Sequence, residues 1–306
     1  MGSNDASSFF LEVPLTHEQL ELMKRTVSRS ARGHLVGRKF IKVYGPIGAG
    51  AQSVTWDTFL PPVMANIDLL GEAEQQPVHT QRRAILNIPQ IYKDFILYGR
   101  DIAASHDHDS SENHNYPSHD RGHNHNHHGC ICMPLDLSAL VNAVVQCAKK
   151  EDDMIFSGLP EMGIPGLTNV EGRNIQPMKD WSILGNGFQD VVEAAQKLTD
   201  VGFYGPYAMV MSPHLYALLH RVYEKTGVLE IKSIKALIKG GVFQSSVLKS
   251  DVAIVVAMDQ SNMDLVIGQD MRVSYWGPEN LNHRFRVWES AVLRIKCPQA
   301  ICTIEP

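Results

Sequence analysis

From Ala49 to about Leu97 the chain is polar and extended, with few helix signals and no compact apolar cluster of its own. A monomer could not settle such a stretch, because its strand edges would stay unpaired. This predicts a long arm that finds its partner on a neighbouring subunit. Assembly is therefore the first constraint on the fold.

The flanking segments carry clearer local signals. Thr16 followed by Gln19 has the spacing of a capping box, and Leu20, Met23, Val27 and Ala31 recur at helical spacing. A helix from Thr16 to Gly33 is predicted. Phe40 to Tyr44 reads as a short strand closed by Gly45-Pro46. Asp136 can cap a long helix with Leu137, Leu140, Val141, Val144, Val145 and Ala148 on one face, ending at Gly158. At 1.5 Å per residue it would span about 33 Å.

Beyond it, helix and strand alternate. Helices are predicted at Phe188–Leu198, Pro213–Tyr223 and Ile231–Ile238. Strands are predicted at Tyr207–Ser212, Val252–Met258, Leu265–Ile267, Val273–Trp276 and Phe285–Ile295. The body is α+β, without a fixed-period repeat.

Composition closes off several function classes. The 306 residues are 44% hydrophobic and 20% charged, which supports a large core, and the net charge of -5 offers no basic surplus for nucleic acid. No apolar run reaches a membrane span and no secretory signal opens the chain. The five cysteines, Cys130, Cys132, Cys147, Cys297 and Cys302, are odd in number and irregularly spaced. They suit reduced thiols in a cytoplasm, and cytoplasmic localisation is the expectation.

Residues 105–129 form a low-complexity block that holds eight of the fourteen histidines. These are His106, His108, His114, His119, His123, His125, His127 and His128. Asp107, Asp109, Glu112 and Asp120 are interspersed, and Cys130 and Cys132 follow. Imidazole, carboxylate and thiolate donors suit Zn, Ni, Cu or Fe ions, and H-x-H spacing fits a multi-site chelator better than one rigid site. The bland alternative is a hydrophilic, disordered surface loop.

Other candidates fail on geometry or context. Glu151, Asp152 and Asp153 are adjacent on a helix, point in different directions and read as a solvated or interface patch. Gly45 to Gly50 lacks the G-K-[ST] of a phosphate loop. His214 and His220 do not share a helix face. Ser212 and Ser290 lack a G-x-S-x-G context. Cys297 and Cys302 read as packing residues. No catalytic constellation remains, so the chain reads as a non-enzyme needing no cofactor.

Taken in order, these stretches resemble the encapsulins, shell proteins with the tailed-phage major capsid (Hong Kong 97) fold. The matches are Leu35-Val-Gly-Arg-Lys-Phe-Ile, Gly45-Pro-Ile-Gly-Ala-Gly, Tyr92-Lys-Asp-Phe-Ile-Leu, Met133-Pro-Leu-Asp and Glu151-Asp-Asp-Met-Ile-Phe-Ser-Gly. Later matches are Tyr204-Gly-Pro-Tyr, Leu219-His-Arg-Val-Tyr-Glu-Lys-Thr-Gly-Val-Leu-Glu-Ile, Gly240-Gly-Val-Phe-Gln-Ser, Asn282-His-Arg-Phe-Arg-Val and Arg294-Ile-Lys-Cys-Pro-Gln-Ala-Ile-Cys-Thr. The resemblance covers Leu15 to Glu305, broken only by the insert. It points to the branch known from Myxococcus and thermotolerant bacilli, whose shells enclose ferritin-like, iron-oxidising cargo.

The resemblance implies an N-terminal arm and helix over 1–48 and an elongated loop with its return strand over 49–102. It places a peripheral domain over 133–180 and 259–306 and an axial domain over 181–258, while the histidine-rich insert, read as disordered over 103–132, is where the chain departs from the family. It implies an icosahedral homo-oligomer that holds cargo through a C-terminal targeting peptide, with no nucleic-acid or membrane partner. The peptide groove maps to Ala31, Leu35, Arg38, Ile41 and Lys42, where Lys42 departs from the acid that relatives often carry. A five-fold pore loop maps to Glu224, Lys225, Thr226 and Gly227. Two rival readings are a metal buffer built on the insert, with the shell as scaffold, and a phage capsid protein.

Overall fold

The structure is a computed structural model that describes residues 13–59, 67, 69, 80–111, 134–223 and 227–306, with backbone only at 58, 59, 80–82 and 106–111. The helices are α1 (His17–His34), α2 (Gly99–Ser111), α3 (Ser138–Ser157), α4 (Asn186–Asp200), α5 (Pro213–Leu218) and α6 (Glu230–Leu237). The strands are β1 (Val43–Tyr44), β2 (Ser53–Phe59), β3 (Thr80–Asn87), β4 (Gln90–Tyr98), β5 (Asn174–Pro177) and β6 (Tyr207–Met211). They continue with β7 (Val242–Gln244), β8 (Ala253–Ala257), β9 (Met263–Glu279), β10 (Asn282–Ile295) and β11 (Ile301–Glu305). Among the described residues no helix is long and apolar enough to cross a membrane.

The chain divides into two compact units. The first comprises Met1–His34, Ile91–Ala148 and Met271–Glu289. Its α1 begins as its sequence demands: Thr16 N–H donates to Gln19 Oε1 at 3.1 Å, and Gln19 N–H donates to Thr16 Oγ1 at 3.2 Å. The helix buries Met23, Val27 and Ala31. At the start of α3, Asp136 Oδ1 accepts the Ser138 N–H at 2.8 Å. Phe95 of β4 stacks on Phe285 of β10 at 5.5 Å between ring centroids. Arg286 pairs with Asp94 at 2.6 Å, and its guanidinium lies over the Tyr92 and Trp276 rings.

The second unit comprises Leu35–Gln90, Lys149–Asp270 and Ser290–Pro306. Its five-stranded sheet has the order β5-β11-β8-β6-β7. β11 runs parallel to β5 and antiparallel to β8, and β6 runs antiparallel to β8 and parallel to β7. β6 and β8 are buried along their whole length, which explains their unbroken apolar sequences. The amphipathic α4 lies against β5, β8 and β11, burying Val191, Ala194, Ala195 and Leu198.

β2 and β3 form an antiparallel hairpin, with Ser53 opposite Asn87 and Asp57 opposite Arg83. This hairpin is the predicted extended arm, but its base does have a core. Leu86 and Ile88 pack with Ile164, Val266 and Val292, and Ala51, Val54, Trp56 and Leu159 border them. Arg294 fixes the same base, donating to the Thr55 carbonyl at 3.1 Å and to buried Asp264 at 2.7 Å.

Several expectations change. The strands read at 265–267 and 273–276 are one continuous β9, and the helix read to Tyr223 stops at Leu218. The peripheral–axial boundary expected at 258/259 cuts through the five-stranded sheet, since β5 and β11 share it with β6, β7 and β8. The insert expected to be disordered from 103 begins as helix, because α2 continues through Ser111. Ser105, the first residue of the low-complexity block, is buried in the first unit.

Candidate functional site

In the first unit an open cleft of about 610 Å³ lies along α1 and the first half of α3. Leu137, Val141 and Val145 recur every four residues, so one side of α3 offers a half-buried apolar stripe spanning about 12 Å. Leu22, Thr26 and Arg29 of α1 line the other side, and Leu22 is 47% exposed. With the α3 stripe opposite, Leu22 adds an open apolar side chain to the rim of the cleft.

The expected groove residues fall elsewhere. Leu35 and Ile41 are 6% and 3% exposed and belong to the core of the second unit, whereas Ala31 is buried on α1 in the first. Lys42 is exposed. Arg38 is committed: its Nε donates to Glu151 Oε1 at 2.8 Å and its Nη1 to Asp270 Oδ1 at 2.7 Å. The set does not form an open wall, because its apolar members already pack inside the fold.

What holds this segment went unread in the sequence. Glu151 and Asp152, read as part of a solvated or interface patch, are buried; of the three acids only Asp153 faces solvent, paired with Lys150. Asp152 accepts the N–H groups of Val36 and Gly37 at 3.1 and 2.9 Å. Burial pushes its carboxyl up to about 7, against the lowering by those two donors. A Cβ at Gly37 would lie 2.5 Å from Ile155 Cδ1, so glycine permits the approach. Phe40 then stacks on Phe156 and Phe243. The recoverable signal was the spacing: a buried α3 stripe continues through Met154, Ile155 and Phe156, which leaves little room for neighbouring acids to reach water.

Glu224, Lys225 and Thr226 of the expected pore loop lie outside the described residues. Gly227 has φ of +67°, the left-handed region that glycine favours. The base of the loop is pinched, with Tyr223 N–H donating to the Val228 carbonyl at 2.9 Å and Glu230 N–H to the Arg221 carbonyl at 3.0 Å. The buried Glu230 carboxylate accepts the Phe188 N–H at 3.0 Å and sits 3.9 Å from Arg221. These two residues, also missed in the sequence, anchor the loop to α4.

His106 and His108 lie on the α2 backbone. His114, His119, His123, His125, His127, His128, Cys130 and Cys132 lie outside the described residues. No group of potential ligands able to hold a metal occurs among the described residues. Ser212 caps α5, accepting the Leu215 N–H at 3.3 Å, and Ser290 Oγ accepts the Gln269 N–H at 2.8 Å. Both serines serve the backbone, as the missing nucleophile context implied.

Comparison with known proteins places these features. A family model described as an encapsulating protein for peroxidase matches residues 11–113 and 131–292, leaving a gap over most of the histidine-rich insert. A diheme-cytochrome-encapsulin shell fusion protein of Kuenenia stuttgartiensis is 51% identical over 294 residues, covering 96% of this chain and 74% of the relative. A type 1 encapsulin shell protein of Myxococcus xanthus is 44% identical over 294 residues, covering 96% of this chain and 94% of the relative. The fold is shared with a virus-like particle from Pyrococcus furiosus, at a TM-score of 0.70 and 20% identity, over 94% of this chain and all of that one. It is also shared with the capsid of Myoviridae phage XM1, at a TM-score of 0.58 and 11% identity, over 89% of this chain and 92% of that one.

Proposed function

This chain belongs to the encapsulin family of capsid-like shell proteins, and from that premise we propose that it encloses a ferritin-like, iron-oxidising cargo protein held by a C-terminal targeting peptide. Encapsulin subunits are structural rather than enzymatic, and identical chains close into icosahedral shells around cargo. In this reading iron oxidation belongs to the cargo. The shell contributes confinement in the cytoplasm and, around Glu224 to Gly227, a pore.

The observation that carries the docking reading is the α1–α3 cleft. It offers apolar side chains one helical turn apart, suited to alternate side chains of an extended peptide. Leu35 and Ile41 serve instead as core of the second unit. Many weak sites on one closed shell would retain cargo by avidity.

One observation favours a second reading of the cargo. The Kuenenia relative is, by its name, a fusion of a diheme cytochrome to an encapsulin shell. A haem protein is therefore the rival cargo. Purifying shells from the native host, imaging them by negative stain and identifying the enclosed protein by mass spectrometry separates the two. A haem spectrum with little stored iron would overturn the ferritin-like reading.

The insert is proposed to bind Zn, Ni, Cu or Fe ions. Support comes from its donor density and from its falling where the family model breaks. Metal binding needs the neutral imidazole, whose ordinary pKa is about 6.5. Shells should bind metal at about pH 7.5 and release most of it by about pH 5. Calorimetry and elemental analysis on intact shells and shells lacking 112–130 would decide. Equal metal in both sinks this assignment.

A further inference from the structure

We infer that Arg29 reads the free α-carboxylate at the end of the docked peptide, so that the cleft selects chain termini and not merely apolar segments. This rests on the cleft being the peptide site, as proposed above. Among the described residues Arg29 is the only cation lining the cleft, is exposed, and makes no ion pair. Its neighbours on the same helical face are also cations: Arg25 stands four residues before it and Arg32 three after, both exposed. The acids of α1 are elsewhere, since Glu18 lies in the first turn and Glu21 is bonded to Lys24 at 2.7 Å.

Among the described residues the one acid lining the cleft is Asp136, a carboxylate held toward the start of α3. Its Oδ1 accepts both the N–H and the hydroxyl of Ser138, at 2.8 and 2.6 Å. Asp136 stands two residues ahead of α3, where its charge complements the helix dipole. The cleft thus combines an apolar stripe with one uncommitted guanidinium. A guanidinium fork matches a carboxylate in two parallel hydrogen bonds, whereas a lysine would supply only a point charge. Every C-terminal peptide carries such a carboxylate whatever its sequence. That chemistry gives a physical reason for a targeting tag to sit at the end of its cargo.

The test uses assembled shells and two labelled synthetic peptides of eight residues, with alternating Leu and Ser, one ending in a carboxylate and one in a carboxamide. Wild-type shells should bind the acid about fivefold more tightly, the scale of a partly solvated ion pair. Arg29→Gln should equalise the two peptides, and Arg29→Lys should restore part of the preference. Because Arg29 is exposed, neither change touches the core. Equal binding of both peptides to wild type, with loss of both in Leu22→Asp, would overturn the carboxylate reading while leaving the cleft as the peptide site. Binding of neither peptide, or binding indifferent to Leu22→Asp, would overturn the cleft itself and this inference with it.

Discussion

Gln19 Nε2 donates to Ser105 Oγ at 3.1 Å, so the residue that caps α1 also ties that helix to α2. Ser105 in turn donates to the Ile102 carbonyl at 2.7 Å. The boundary of the histidine-rich insert follows from this pair. A deletion beginning at Ser105 leaves the buried Gln19 amide without its acceptor, which costs about 1–3 kcal/mol. Shells lacking 112–130 should melt like wild type, whereas shells lacking 105–129 should melt several degrees lower. Equal melting temperatures would show that the Gln19–Ser105 bond carries no stability.

Asp152 makes stability pH-dependent in an unusual direction. Burial, and to a lesser extent neighbouring Glu151, hold its carboxyl up at about 7. In an unfolded chain such a carboxyl titrates near ~4. The folded chain therefore holds the proton more tightly. This contribution to stability is fully present below about pH 4 and is lost as pH rises toward 7. Asp152→Asn should flatten that part of the profile. Thermal midpoints measured across this range decide the matter, and parallel profiles for the two proteins would refute it.

The pair Asp264–Arg294 should behave as a buried ion pair with one further cation, Lys296, at 2.8 Å. Asp264→Ala strands both cations and should cost about 3–5 kcal/mol. The double variant with Arg294→Met should recover much of that loss, since an apolar side chain then replaces a stranded charge. Chemical denaturation of the single and double variants provides the readout. A single variant as stable as wild type would contradict the burial of Asp264.

Leu22 and Leu35 separate docking from folding. Leu35→Asp places a charge in the core and should yield insoluble or unassembled chain. Leu22→Asp alters only an open side chain, so its shells should assemble but lose cargo. Cargo-to-shell ratios from denaturing gels, beside particle counts by microscopy, distinguish the two. Cargo retained at the wild-type ratio in Leu22→Asp shells would place the docking surface elsewhere.

Much of the local structure was legible because its causes are local. Thr16 and Gln19, and Asp136 and Ser138, make their capping bonds within three residues, so spacing alone announces them. Gly158, with φ of +73° and Ile164's carbonyl where a Cβ would stand, ends α3 where the apolar period stops. The ordered matches to encapsulins likewise needed only the sequence, and membership of that family followed.

Tertiary structure decided what depends on distant partners. Glu151 and Asp152 look like surface charge until Arg38 and the Val36 and Gly37 amides, more than a hundred residues earlier, arrive to satisfy them. β11 has a sequence suited to any buried strand, and only pairing placed it between β5 and β8. The cleft required two helices from opposite sides of the insert. Capping and helical period are written in neighbouring residues, but burial of a charge and the walls of a cleft exist only once remote segments share the same water-excluded space.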